Sequence, residues 1–172
     1  ALRCRVTPVL RPTNDPAAYD RFLKGRFHLE QRGTGLLRAR EAFEAALAVD
    51  ANLAEAHAGL AEALGLLGFY GTLPPNEVLP QAEASARRAL ELAPDLAEAH
   101  TALGWVHFTH DWDNEATIRE FERALELDEN NQLARQWSAY YSLITLQGRV
   151  DDGLELCRES LEREPHSLAV HG

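Results

Sequence analysis

One phrase returns in this chain. LAEAH spans Leu53–His57 and again Leu96–His100, 43 residues later. A second phrase keeps the same beat. It reads AALAVDA, RALELAP, RALELDE and ESLEREP in turn, and its small residue falls at Ala46, Ala89, Ala124 and Ser160. The intervals are 43, 35 and 36 residues, a period of about 34 to 36 with one long insertion in the second unit. A repeat of this size constrains the fold more than any single residue does. Each unit is too small to bury its apolar face alone and must stack on the next.

Within a unit the pattern is two helices. Leu53, His57, Leu60, Ala61, Leu64 and Leu67 form one stripe at helical spacing over 53–67. Asn52 followed by Glu55, and Asp95 followed by Glu98, have the spacing of a capping box, which places LAEAH just inside a helix start. The second helix carries a larger residue three positions before a small one, as in Phe43 and Ala46 or Phe121 and Ala124, so that neighbouring helices can approach closely. Breaks are expected near 31–36, 50–53, 68–76, 93–96, 110–114, 128–132 and 148–151.

These positions resemble tetratricopeptide repeats. The fourth unit offers Trp137, Tyr140, Gly148, the turn GRVDDG and Pro165; the third His100, Leu103-Gly104, Phe121 and Ala124. The second offers His57, Leu60-Ala61, Ala82, Ala89 and Pro94; the first Gly25, Ala39, Phe43 and Ala46, with RGTG as an extra-long turn. Departures include Tyr141 where the pattern has Gly, and Ala51 and Glu129 where it has Pro. The resemblance implies an all-α, right-handed superhelix of about four helix pairs. The array covers 17–167, in units 17–52, 53–95, 96–130 and 131–167. Residues 1–16, with three prolines, read as an extended lead-in or linker, and 168–172 as the start of a truncated further repeat. A softer resemblance links the chain to the C-terminal repeat regions of bacterial signalling proteins, where such repeats follow a cyclase, a serine/threonine kinase or a winged-helix domain.

Charge narrows the function classes. The formal net charge is −10, and the 17 Lys and Arg are scattered. That argues against a phosphate-binding footprint for nucleic acid and against an anionic membrane surface. No run of about 18 apolar residues is available for a membrane span. The two cysteines, Cys4 and Cys157, make neither a disulfide framework nor a metal-ligand spacing. They fit a reducing, cytoplasmic setting.

The histidines are the first candidates for chemistry. His57 and His100 occupy equivalent places in successive units, so they read as packing residues. Two first-shell zinc ligands a helix pair apart would lie too far from one ion. In HFTHDWD, His107, His110, Asp111 and Asp113 have ligand-like character. Yet Asp113 or Asn114 is also a natural cap, and the histidines suit the last turn of a helix. The serines lie within predicted helices without a nucleophile elbow, and neither RGTG nor GLLGFYG has the strand–loop–helix context of a phosphate loop. No catalytic residue, cofactor or metal is therefore expected.

The working surface is then the concave face, which the resemblance assigns to the first helix of each pair. It would present Tyr19, Phe22 and Arg26; Glu55 and Glu62; Glu98, Thr101, Trp105 and Phe108; and Arg135 and Ser138. Trp105 and Phe108 admit two readings: anchors for a partner, or filling for a tightly curved superhelix. Relatives that hold acidic C-termini carry a clamp of Lys, Arg and Asn here. This chain has Glu55, Glu62 and Glu98 instead, which would repel a carboxylate. The expected partner is a protein or peptide, neutral to basic. Phe69, Tyr70 and Leu73, in an insertion spanning 68–80 with Pro74-Pro75, suggest a further docking contact. The alternative is a regulatory or assembly domain that packs on its own upstream domain or on itself, including a weak homodimer through the C-terminal repeat.

Overall fold

The computed structural model describes residues 13–163. Most of the expected lead-in, Pro165 and the expected start of a further repeat lie outside the described residues. Among the described residues eight α-helices follow one another: α1 (Pro16–Glu30), α2 (Gly35–Leu47), α3 (Ala54–Phe69), α4 (Pro75–Leu92), α5 (Ala97–Val106), α6 (Asn114–Leu127), α7 (Gln132–Trp137) and α8 (Val150–Arg163). No strand occurs among the described residues. Sequential helices pack as pairs, and α1, α3, α5 and α7 each touch the next of their number. The molecule is an all-α superhelix of helix pairs.

Glycine sockets let the pairs close. The Phe43 ring of α2 lies between α1 and α3. A Cβ on Gly25 would stand 2.6 Å from that ring, and one on Gly59 2.4 Å. Phe121 of α6 meets Gly104 in the same way, at 2.9 Å. An interior helical glycine costs about 1 kcal/mol relative to alanine. A fully buried phenylalanine stabilises by more than that, and truncating one costs about 3–5 kcal/mol. The sockets are therefore a net gain.

The expected capping boxes do not form. Helices α3 and α5 begin one residue later than a cap at Asn52 or Asp95 requires, with Leu53 and Leu96 at the N-cap and no side-chain cap bond. Asn52 and Asp95 turn outward to the next second helix. Arg88 Nη2 donates to Asn52 Oδ1 at 3.2 Å, and Arg123 Nη2 donates to Asp95 Oδ1 at 2.9 Å. The same stitch thus recurs in consecutive units. True caps exist elsewhere: Asp15 on Ala17 and Ala18, Asp113 on Ala116, and Asn131 on Ala134.

The histidines of LAEAH hold the turn that precedes them. His57 Nε2 donates to the Ala51 carbonyl at 3.1 Å, and His100 Nε2 to the Pro94 carbonyl at 3.0 Å. Each bond reaches six residues back. His100 also places Nδ1 2.6 Å from Glu120 Oε2 on α6. Both its ring nitrogens therefore face acceptors. The bond to Glu120 raises its pKa, burial opposes the rise, and the Pro94 carbonyl supports it.

The insertion in the second unit is not a loop over 68–80. Only Tyr70–Pro74 is non-helical. The extra residues lengthen the pair, giving α3 16 residues and α4 18, with Pro80 inside α4. Period-based reading also missed two π-helical segments, His107–Asp111 after α5 and Ser138–Leu146 after α7. Both lie where the first helices of the third and fourth pairs carry large rings. A hydroxyl meets a backbone carbonyl in each: Thr109 Oγ1 donates to Trp105 O at 2.8 Å, and Thr145 Oγ1 to Tyr140 O at 2.7 Å.

Candidate functional site

The first helices of the four pairs place two unlike regions side by side. The first is an open cavity of about 330 Å³. Arg26, Leu29 and Glu30 of α1 and Arg32 of the α1–α2 turn form one wall. Glu62 of α3 and Glu98, Thr101 and Ala102 of α5 form the floor, and the α6–α7 turn with the start of α7 closes the far side through Asp128 and Leu133. Four residues expected on the concave face, Arg26, Glu62, Glu98 and Thr101, are thus brought together.

Arg32 has no counterpart in the sequence reading. Its φ is +51°, a left-handed backbone uncommon outside glycine. That conformation accompanies a guanidinium aimed at Glu62, 3.7 Å away. Burial raises the Glu62 pKa, Arg32 and Arg26 oppose the rise, and Glu98 adds to it. Glu55, half-buried in the first turn of α3, is also raised by burial; its own backbone amide opposes this, and Glu98 and Asp50 add to it. The carboxylates of neighbouring first helices therefore repel one another along this face. The Glu98 side chain makes neither an ion pair nor a hydrogen bond among the described residues.

The second region is a ladder of aromatic rings. Trp105 stacks on Trp137 with centroids 4.4 Å apart. Phe69 and Tyr141 meet it edge-on at 5.0 and 5.1 Å, and Phe108 lies 6.0 Å away. Tyr140 packs on Tyr141, and Tyr70 on Phe69, which extends the ladder at both ends. Trp105 is 1% exposed, so of its two readings the filling one describes this conformation. Its ring occupies the space that Gly65 leaves, where a Cβ would come within 2.7 Å of Trp105 Cδ1. Phe108 is half-buried against the same core. Phe69, at 50% exposure, and Tyr70 remain open to solvent, whereas Leu73 packs inward.

Other expected groove residues serve the fold. Phe22 is buried 6.1 Å from Phe43, with Tyr19 beside it. Arg135 is buried within the fourth pair: its Nε donates to Ser160 Oγ at 2.9 Å, its Nη1 to the Glu129 carbonyl at 3.2 Å and its Nη2 to Glu159 Oε2 at 2.8 Å. Ser138 is buried as well. In HFTHDWD, His107 Nδ1 pairs with Asp111 Oδ2 at 2.6 Å and Asp113 caps α6, so those side chains already have partners. No group of three or more metal-ligating side chains occurs among the described residues, and no described helix is long and apolar enough to cross a membrane.

No protein-family model matches the chain, and no curated protein matches its sequence. Solved structures do match. MamA protein aligns over 87% of this chain and 74% of its own at 19% identity, with a TM-score of 0.52. TTC0263, a thermophilic TPR protein of Thermus thermophilus, aligns over 92% of this chain and 79% of its own at 21% identity, with a TM-score of 0.70. The helix pairs, their glycine sockets and this alignment together give the chain the tetratricopeptide repeat fold.

Proposed function

We propose that this chain is a protein-interaction module, not an enzyme, and that a peptide or helix of its partner lies across the first helices of the four pairs. The observation that carries this reading is the open cavity built from α1, α3, α5 and the α6–α7 turn. A groove that draws side chains from every unit suits an elongated ligand better than a small substrate. Phe69 and Tyr70, at the C-terminal end of α3, add exposed rings to the same pair. Two separated cysteines fit a cytoplasmic setting, and the resemblance to signalling proteins suggests the kind of system it serves.

The test is a peptide-display selection on the intact chain, repeated on Arg26→Trp. Arg26 is exposed and lines the cavity, so a large ring there blocks the mouth without disturbing the core. Selected peptides should lose binding to Arg26→Trp while its melting temperature stays unchanged. Equal binding to both proteins, with amide protection mapped to the opposite face, would defeat the groove reading.

A second reading rests on a separate observation. Leu154 and Leu161 of α8 are 43% and 37% exposed. This apolar edge supports an assembly role, with a two-fold contact between copies through the fourth pair. Light scattering over a dilution series should show mass rising with concentration. A strict monomer at high concentration would remove this reading.

A further inference from the structure

Resting on the groove reading, we infer that the cavity between α1, α3, α5 and the α6–α7 turn receives a basic side chain, arginine or lysine, of the bound peptide. Charge complementarity is the warrant. Among its lining residues, Glu30, Glu62, Glu98 and Asp128 outnumber Arg26 and Arg32. The two cations stand together on the α1 side. Arg32 faces Glu62 at 3.7 Å, and no hydrogen bond reaches the Glu62 carboxylate among the described residues. On the α5 side the Glu98 carboxylate makes no ion pair among the described residues. Glu98 and Asp128, the latter accepting from the Asn130 amide at 2.9 Å, on one wall and guanidinium groups on the other give the cavity a direction, with its negative end over α5 and the turn to α7.

The carboxylates also oppose one another. Glu98 disfavours the ionised form of Glu62 and of Glu55, the first-helix carboxylates of the preceding unit. Such a row of like charges stabilises nothing in the free protein. A positive charge lodged among them relieves the repulsion and gains charge-assisted hydrogen bonds. Thr101 and Ala102 line the same floor and are buried, so the stem of a long side chain would lie against small residues while its charged head meets the carboxylates. The net charge of −10 draws a cationic segment from a distance, and this steering weakens with salt.

The experiment is a randomised decapeptide display library selected on the full chain, on Glu98→Gln and on Glu98→Lys. Binding constants are then measured for synthetic versions of the enriched peptides and for copies with each Arg or Lys replaced by Gln. The inference expects basic residues to be enriched on the parent chain. It expects one Arg or Lys whose replacement weakens binding on the order of tenfold or more. That sensitivity should vanish on Glu98→Gln, and Glu98→Lys should select against basic peptides. Melting curves confirm that each variant is folded, and Glu62→Gln is a second neutralising variant if Glu98→Gln alters the melt. Enriched peptides that are blocked by Arg26→Trp yet show no basic bias, or bind Glu98→Gln as tightly, would overturn the inference and leave the groove reading in place. Peptides that bind Arg26→Trp as they bind the parent chain, or a library that yields none, would overturn both.

Discussion

The same stack of first helices makes an open acidic cavity on one part of its surface and a closed aromatic ladder on another. Glu62 and Gly65 sit within one turn of α3, and Glu98 and Trp105 within two turns of α5. A single helical turn of α3 therefore separates a side chain that faces the cavity from a socket filled by an indole. The difference lies in side-chain size. Where a first helix offers glycine opposite tryptophan, the rings close on each other and water is excluded. Where it offers glutamate opposite glutamate, repulsion and hydration keep the space open. In a solenoid, each such choice is local to a pair of neighbouring units.

The largest test of this comparison is Trp105→Ala. The ring is buried and stacked on Trp137, so truncation should cost about 3–5 kcal/mol in urea unfolding. Glu98→Gln, in the same helix, should stay within about 0.5 kcal/mol of the parent. Equal midpoints for the two variants would abolish the distinction between ladder and cavity.

Gly65→Ala probes the socket itself. Its Cβ would stand 2.7 Å from Trp105 Cδ1, and the indole is held by four other rings. Overpacking of this kind costs about 1–3 kcal/mol, against about 1 kcal/mol gained in helix propensity. A net loss in urea midpoint is expected. A stabilised variant would show that the ladder slides freely over α3.

Much of this fold was legible because the repeat is a matter of spacing. Small residues at a fixed interval located the pairs, and the breaks between helices follow from caps and turns. The aromatic ladder was half legible. The sequence singles out Trp105 and Phe108 on the concave face but leaves open whether they anchor a partner or fill the superhelix, and the Gly65 socket is absent from that reading. An interior helical glycine facing a tryptophan one unit on was the available signal. Arg32 was out of reach, because its place beside Glu62 depends on a left-handed backbone that an Arg-Gly turn does not announce. The capping boxes failed for a related reason. Asn52 and Asp95 have the right spacing to cap, but Arg88 and Arg123 from the next helix compete for them, and sequence spacing says nothing about that competition.

Phe69→Ala tests the edge of the ladder. Phe69 lies edge-on to Trp105 and is half exposed, so the loss should be about 0.5–1.5 kcal/mol, well below that of Trp105→Ala. Tryptophan fluorescence should shift to the red as water reaches the indole. An unshifted spectrum with an unchanged midpoint would mean that Phe69 merely rests on the surface.

Glu62→Gln should have the smallest effect, and its sign is opposite to the others. The Glu62 pKa is raised above 4.5, first by burial and then by Glu98, with Arg32 and Arg26 opposing. A carboxyl with a raised folded-state pKa favours folding when protonated. That contribution is fully present below the unfolded value near 4.5 and is lost as pH rises through the folded value. At neutral pH the ionised Glu62 therefore works against the fold, and glutamine removes the penalty. The variant should melt slightly above the parent at pH 7, and the advantage should fade as pH falls from the raised folded value toward 4.5 and be gone below it. A variant that melts lower than the parent at pH 7 would mean that the Arg32 ion pair outweighs burial and repulsion. The cavity would then be held open by that pair rather than by unrelieved negative charge.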